Sequence, residues 1–246
     1  PPFDAGDVLK TMARAKVTGF PGVPTMFQAL LDHPDLAKTD FSNLKICISG
    51  GAPLADPLRK KFEKATGVRL VEGYGLTESS GVVSTNPYTG ERKIGTIGQV
   101  MPGTRLLLLD KEDATKIAPE GEPGELAIHG PQIMQGYWNL PDADAEVFVE
   151  HHGLKWLRTG DVATIGVDGF VEIVDRIKDM IAVGGFKVFP SQVEDVLREN
   201  PAIRDVLVIG VPDDYKGEVP RAYATLDPEG KAPTAEALRD WLNARV

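Results

Sequence analysis

The stretch "EGYGLTES", residues 72–79, brings an aromatic ring, a hydroxyl and a carboxylate close together along the chain. Tyr74 stands between two glycines, and Thr77 and Glu78 follow it. A ring beside bare backbone can stack on a flat ligand such as a nucleotide base. Glu78 fits a magnesium ligand, because Mg²⁺ often takes one or two carboxylates and completes its shell with phosphate and water oxygens. The stretch therefore predicts one wall of a nucleotide site.

Two other polar stretches fit the same ligand. "SGGAPL" (49–54) offers glycines through which a flat ligand could approach the backbone, and "LRTGD" (157–161) ends in Asp161, whose two oxygens could accept from adjacent ribose hydroxyls. The sequence contains no G-x-x-x-x-G-K-[ST] loop, no complete G-x-G-x-x-G fingerprint and no G-x-S-x-G elbow. These patterns together favour an ATP or AMP site over a simple hydrolase or a Rossmann enzyme.

The elements that must position these residues have a strand–helix–strand pattern. "LKICISGG" (44–51) predicts a buried strand, and "DPLRKKFEKATG" (56–67) predicts a helix capped by Asp56. "VRLVE" (68–72) predicts a second strand that leads into Gly73 and Tyr74. A parallel α/β sheet follows, with the quoted stretches at the carboxyl ends of its strands, where open α/β sheets bind ligands.

The chain changes texture twice. Residues 94–174 carry short alternating strands, with a hairpin at Asp168–Gly169, and predict a small, mostly antiparallel barrel or sheet. After Asp175 we expect a hairpin turning at Gly184–Gly185 and a helix with capping-box spacing between Ser191 and Glu194. The predicted fold class is α/β: the end of a large α/β domain (1–93) with a β-barrel-like subdomain (94–174), followed by a hinge and an incomplete small α+β domain (175–246).

The composition excludes several classes of protein. Of 246 residues, 42% are hydrophobic and 26% charged, which is ordinary for a globular chain. The net charge of −9 gives no diffuse positive field, so we expect no nucleic-acid partner. Apolar runs are too short to span a bilayer. The single cysteine, Cys47, excludes an internal disulfide and fits a reducing compartment, so we expect a cytoplasmic protein.

Five motifs resemble, in order and spacing, the adenylate-forming superfamily of acyl-CoA synthetases, luciferases and peptide-synthetase adenylation domains. They are "SGGAPL", "EGYGLTES", "GELAIHG" with "MQGYW", "LRTGD" and "VDRIKDMIAVGGFKVFPSQVED". The resemblance covers essentially the whole chain. The residues of the motifs are most similar to those of bacterial long-chain fatty-acid–CoA ligases.

The resemblance implies a catalytic and nucleotide-binding set. It implies that Thr77 binds the α-phosphate and that Glu78 binds Mg²⁺. It also implies that Asp161 and Arg176 bind the ribose. The residues it places around the adenine, with Tyr74 stacked on the base, are Gly51, Ala52, Pro53, Tyr74 and Gly75.

The resemblance also implies a hinge and two further subsites. Lys178 matches the hinge about which the small domain swings between two half-reactions. Gly184 and Gly185 would then lie beside the pantetheine arm of CoA. The residues implied along the acyl chain are Val23, Pro24, Gly50 and Gly73.

The implied activity is ATP-dependent fatty-acid–CoA ligation through an acyl-adenylate, with fatty acid, ATP and CoA as partners. The sequence leaves two further contacts undecided: peripheral contact with a membrane to collect a lipid substrate, and formation of a homodimer. The family's Gly/Ser/Thr-rich phosphate loop and its adenylation lysine do not occur in the chain. Gly230–Lys231 precedes the final helix and is rejected as that lysine. We therefore expect the chain to be a piece of a longer protein and to be inactive alone.

Other interpretations of the same residues stay open. Aryl acids or a carrier protein could replace the fatty acid or CoA, and the chain could be a non-catalytic nucleotide-binding or assembly module. Tyr74 could be a packed ring in a turn, Glu78 a helix-start carboxylate and Asp161 a structural turn residue. Lys178 could be plain solvated charge beside Asp179. Cys47 fits a small core residue better than a nucleophile.

Overall fold

The computed structural model describes residues 3–227 and 233–245, so the Gly230–Lys231 pair lies outside the described residues. The helices are α1 (Ala5–Ala15), α2 (Pro24–Asp32), α3 (Asp56–Thr66), α4 (Pro141–Val147), α5 (Pro190–Arg198) and α6 (Ala235–Asn243). The strands up to residue 129 are β1 (Gly19–Gly22), β2 (Ile46–Ser49), β3 (Leu70–Leu76), β4 (Gly81–Thr85), β5 (Gln99–Val100), β6 (Arg105–Leu109) and β7 (Gly124–His129). The later strands are β8 (Phe148–His151), β9 (Leu154–Ile165), β10 (Val171–Arg176), β11 (Ile181–Val183), β12 (Phe186–Val188), β13 (Ile203–Asp213) and β14 (Gly217–Leu226).

The chain divides into two compact units. The first comprises Pro1–Leu108, Ala127–Thr159 and Thr164–Glu172. The second comprises Leu109–Leu126, Gly160–Ala163 and Ile173–Val246. Among the described residues, no helix is both long and apolar enough to cross a membrane.

The first sheet has the strand order β1-β2-β3-β4-β5. Strands β1, β2 and β3 are parallel, which confirms the predicted strand–helix–strand arrangement, whereas β4 pairs with β3 antiparallel. The helices cover a core in which the fully buried rings of Phe27 and Phe62 meet edge to face, with centroids 5.1 Å apart. Burial of such large apolar side chains fixes the helices against the sheet.

Two local predictions in this unit are wrong. Strand β3 does not end before Gly73 but runs on through Leu76, because pairing with β4 extends it past its parallel neighbour. Asp56 is the first residue of α3 and does not cap it; Ala55 occupies the cap position. The Asp56 carboxylate instead pairs with Arg59 and with Lys60, one turn along the helix.

The β-rich region forms a sheet with the order β10-β9-β7-β6, and β8 pairs antiparallel with β9. The predicted hairpin at Asp168–Gly169 is present: β9 ends at Ile165 and β10 begins at Val171. The Gly166 N–H donates to the Phe170 carbonyl (2.9 Å) and closes the connection.

The last sheet lies in the second unit and has the order β12-β11-β14-β13, with antiparallel neighbours. The predicted hairpin at Gly184–Gly185 is confirmed, and both glycines have positive φ (56° and 90°), as such a two-residue turn requires. Helices α5 and α6 cover one face of the sheet. Their core contains Ile181, Leu197, Ile203, Val206 and Val208, with Leu238 and Leu242 packed against it.

The predicted capping box at the start of α5 is wrong. Phe189 holds the cap position, and its side chain makes no capping hydrogen bond. Ser191 bonds elsewhere: its Oγ lies 2.8 Å from Asp175 Oδ2 and 2.7 Å from the Val174 carbonyl oxygen. Glu194 Oε1 accepts from the Val208 N–H (2.8 Å). Non-local partners therefore use both side chains that the local pattern assigned to the cap.

Candidate nucleotide site

The predicted acyl-pocket residues of the first unit meet at the ends of β1, β2 and β3. A Cβ on Gly50 would lie 3.2 Å from the Gly73 carbonyl oxygen, and one on Gly51 would lie 3.5 Å from Val23 Cγ1. Val23 precedes α2, and Pro24 is the first residue of that helix. The backbones of these loops therefore approach each other closely, and a side chain on Gly73 would collide with Ile48, whose Cγ2 would lie only 2.9 Å from it.

The loop after β2 is bonded to β3 through a partly buried carboxyl group. Ala52 and Pro53 are exposed, and the Leu54 N–H donates to Glu72 Oε1 (3.2 Å). Burial raises the pKa of Glu72 from its ordinary 4.5 to about 7, and the Leu54 hydrogen bond opposes that rise only in part. Glu72 thus connects the "SGGAPL" loop to the "EGYGLTES" strand.

Tyr74 and Gly75 lie at the end of β3, where the register with β4 shifts between them. Thr77 begins a short 3-10 helix, Thr77–Ser79, and is exposed. The fully buried Ser79 fixes this turn, since its Oγ accepts from the Leu76 N–H (2.9 Å) and lies 2.8 Å from the Gly81 carbonyl oxygen. Tyr74 therefore lies in the last part of β3, and Thr77 and Glu78 lie in the turn that follows it.

Glu78 is held by a segment far along the chain. Its Oε1 accepts from the Tyr137 hydroxyl (2.7 Å), and its backbone oxygen accepts from the Met134 N–H (2.8 Å). The hydrogen bond to the carboxylate raises the pKa of Tyr137, with burial and the negative charge of Glu78 adding to the effect. Within residues 3–227 and 233–245, no three His, Cys, Asp or Glu side chains gather as a metal site. The Glu78 carboxylate has a second oxygen, Oε2, which does not take part in the bond to Tyr137. A single carboxylate oxygen fits Mg²⁺, an ion that takes most of its oxygens from phosphate and water.

The second unit brings Asp161 and Arg176 together. Arg176 Nε lies 3.0 Å from Asp161 Oδ1; the Asp161 side chain is 4% exposed and that of Arg176 is 55% exposed. Lys178 is exposed in the short 3-10 helix Ile177–Asp179, which follows β10. Gly184 and Gly185 are exposed at the tip of the β11–β12 hairpin. The two predicted ribose ligands are therefore paired with each other.

Two candidate residues received no role from the sequence. Tyr137 lies in the motif "MQGYW", and Glu72 begins "EGYGLTES". The contact between Tyr137 and Glu78 joins residues 59 positions apart, so no periodicity or local spacing could have found it. The signal that existed for both residues was their presence inside the quoted motifs.

Cys47 has the environment of a core residue. Its side chain is fully buried in β2, and burial raises the pKa of its thiol to about 12. A nucleophilic cysteine needs the opposite shift, because the thiolate is the reactive form. The structure therefore favours the packing interpretation.

Comparisons with known proteins agree along the chain. A family model described as "AMP-binding enzyme" matches residues 1–138, and one described as "AMP-binding enzyme C-terminal domain" matches residues 192–246. The chain is similar to the long-chain-fatty-acid–CoA ligase of Bacillus subtilis, with 43% identity over 96% of this chain and 41% of the ligase. It is also similar to the feruloyl-CoA synthase of an Amycolatopsis species, with 38% identity over 99% of this chain and 48% of the synthase.

A solved structure gives the same result for the fold. The crystal structure of ATP-bound MatB from Rhodopseudomonas palustris superposes with a TM-score of 0.83 and 32% identity, over 100% of this chain and 47% of that one. The chain thus spans less than half the length of the proteins it matches. Because the family model covers more than half of the chain, on top of the ordered motifs and the fold, the chain belongs to the AMP-binding, adenylate-forming enzyme family.

Proposed function

We propose that the complete protein is an ATP-dependent fatty-acid–CoA ligase. The observation that carries the proposal is the 43% identity to a long-chain-fatty-acid–CoA ligase along 96% of the chain. The predicted adenine and phosphate residues Gly51, Tyr74 and Thr77 lie on adjoining loops and strands of the first unit, which supports it. A reducing compartment that supplies ATP and CoA suits this activity and the single, buried cysteine, so we place it in the cytoplasm.

The reaction has two steps. A fatty-acid carboxylate oxygen attacks the α-phosphorus of ATP and the bond to pyrophosphate breaks, giving acyl-AMP. The CoA thiol, losing its proton, then attacks the acyl carbonyl, and AMP leaves with the electron pair of the broken C–O bond. Catalysis of such transfers depends mainly on positioning and on groups that stabilise the developing negative charge.

The residues of this chain would mainly bind and orient. Tyr74 would stack on the adenine beside Gly51, Thr77 would donate to the α-phosphate, and Asp161 with Arg176 would bind the ribose. Glu78 would hold Mg²⁺, which when bound neutralises phosphate charge. The acyl chain would run beside Val23 and Pro24, where the glycines at positions 50 and 73 add no side chain.

The hinge and CoA assignments belong to the second unit. We infer that Lys178, exposed in the turn after β10, is the point about which the small domain rotates between the two steps. Gly184 and Gly185 at the exposed hairpin tip would then line the pantetheine arm, because a turn without side chains allows close approach of a ligand.

A second candidate is an aryl-acid–CoA ligase. The 38% identity to a feruloyl-CoA synthase over 99% of the chain favours it, and so does the likeness to an anthranilate CoA ligase structure (TM-score 0.73, 32% identity). Both candidates share the nucleotide chemistry and differ in the acid.

The test is AMP release by the protein expressed from the complete reading frame. We expect CoA-dependent AMP release with saturated fatty acids at a kcat/KM at least tenfold above that with ferulate or benzoate. Reactions without acid, and with a phosphopantetheinyl carrier protein replacing CoA, are the controls. Preference for aryl acids would select the second candidate, product only on the carrier would exclude the CoA ligase, and no AMP with any acid would indicate a non-catalytic module.

A further inference from the structure

A short segment clips Glu78 at two points. The segment Met134–Tyr137, called the clip below, donates from the Met134 N–H to the Glu78 backbone oxygen (2.8 Å) and from the Tyr137 hydroxyl to Glu78 Oε1 (2.7 Å). One contact fixes the main chain of Glu78 and the other fixes its carboxylate. The glutamate thus has its position and its orientation set by one segment.

Helix α4 holds the clip in turn. The Tyr137 N–H donates to Asp144 Oδ1 (2.7 Å), and Asp144 lies in the first unit together with the clip and Glu78. A Cβ on Gly136 would lie 2.3 Å from Asp144 Oδ2, so only glycine allows the carboxylate to sit this close to the clip backbone. Asp144 therefore holds the backbone of the clip, the clip holds the Tyr137 ring, and the ring hydroxyl holds the Glu78 carboxylate.

We propose that Tyr137 is a positioning residue that orients the Glu78 carboxylate for Mg²⁺; the inference rests on the proposed function. The phenol occupies Oε1 and leaves Oε2, which makes no hydrogen bond to any described residue, for the ion. A hydrogen bond to a ligand carboxylate restricts its rotation, and loss of such outer partners typically weakens metal binding about 10–100-fold. Tyr137 itself does not touch the nucleotide or the ion.

The test is Tyr137→Phe in the protein expressed from the complete reading frame. Calorimetry measures ATP binding over a Mg²⁺ series, so the readout does not require turnover. We expect the Mg²⁺ concentration that gives half-maximal enhancement of ATP binding to rise about tenfold, with metal-free ATP binding unchanged. Tyr215→Phe, the same change at a residue 93% exposed in the second unit, is the matched control and should change neither quantity.

A double-mutant cycle separates positioning from general stability. In a Glu78→Gln background the carboxylate ligand is already lost, so adding Tyr137→Phe should change the Mg²⁺ dependence by less than twofold. Equal effects of Tyr137→Phe in both backgrounds would overturn the proposal. So would a folded Tyr137→Phe protein whose Mg²⁺ dependence matches the wild type.

Two further outcomes are decisive. If Tyr137→Phe does not fold, Asp144→Ala replaces it, since that change frees the clip backbone while keeping the phenol, and an unchanged Mg²⁺ dependence there overturns the proposal. If the wild-type protein shows no Mg²⁺-dependent ATP binding at all, the proposed function fails and this inference fails with it. If the wild-type protein does bind ATP in a Mg²⁺-dependent way, the results for the variants test the role of Tyr137 alone.

Discussion

At the scale of single residues, Glu72 carries a carboxyl group into surroundings that favour its neutral form. Its pKa of about 7 against an ordinary 4.5 means that the folded protein binds this proton more tightly than the unfolded chain. Ionisation of Glu72 therefore lowers the free energy of unfolding. This loss is absent below about pH 4.5, grows as the pH rises to about 7, and then stays constant. A shift of this size corresponds to about 3 kcal/mol. The group therefore destabilises the first unit at neutral and alkaline pH.

We predict that Glu72→Gln removes this pH dependence. The glutamine oxygen can still accept from the Leu54 N–H, but no charge has to be buried. The variant should match the wild type at pH 4 and be more stable at pH 8 by up to about 3 kcal/mol. Thermal unfolding at pH 4 to 8 measures the difference, with the exposed Glu91→Gln as the matched control. Parallel curves for wild type and Glu72→Gln would show that Glu72 is charged without penalty.

At the scale of elements, local patterns predicted what depends on local chemistry. The parallel pairing of β2 with β3 and the Gly184–Gly185 hairpin were predictable, because helix periodicity, strand–helix alternation and turn glycines can be recognised in consecutive residues. The extension of β3 to Leu76 and the partners of Ser191 were not, because both depend on segments distant in sequence. The contact of Tyr137 with Glu78 failed to be predicted for the same reason. A site assembled from several loops is thus recognisable by its motifs before its contacts can be known.

The junction of β3 and β4 gives a prediction at this scale. A Cβ on Gly75 would lie 2.0 Å from the Gly81 carbonyl oxygen, so Gly75→Ala must push the two strands apart. Overpacking of this kind costs about 1–3 kcal/mol and here also moves Tyr74 and Thr77. Gly19→Ala is the matched control, since a Cβ there meets no atom within 4 Å. Chemical denaturation should show the loss for Gly75→Ala alone, and equal stability of the two variants would contradict the close approach.

At the scale of the whole molecule, the chain is acidic. Its net charge of −9 would repel anionic ligands at long range, so the proposed binding of ATP and CoA would have to come from hydrogen-bond donors, Mg²⁺ and individual cationic side chains. The 246 residues contain neither the Gly/Ser/Thr-rich phosphate loop nor the adenylation lysine expected of the family. The chain also spans only 41% of the length of the Bacillus subtilis ligase. The residues proposed to bind the nucleotide are therefore present here without the groups expected to drive adenylation.

We accordingly predict that the 246-residue chain alone does not catalyse fatty-acid-dependent exchange of pyrophosphate into ATP, whereas the protein from the complete reading frame does. Positioned charge at the transition state accounts for much of the rate of such transfers, so the loss should be at least about 10³-fold. The measurement is incorporation of labelled pyrophosphate into ATP, with and without fatty acid. Circular dichroism and a cooperative thermal transition must first show that the isolated chain is folded, so that inactivity reports missing groups and not a missing fold. Fatty-acid-dependent exchange by the folded chain would mean that residues within it supply the adenylation chemistry, and the phosphate-binding role would then have to be sought among its own cations.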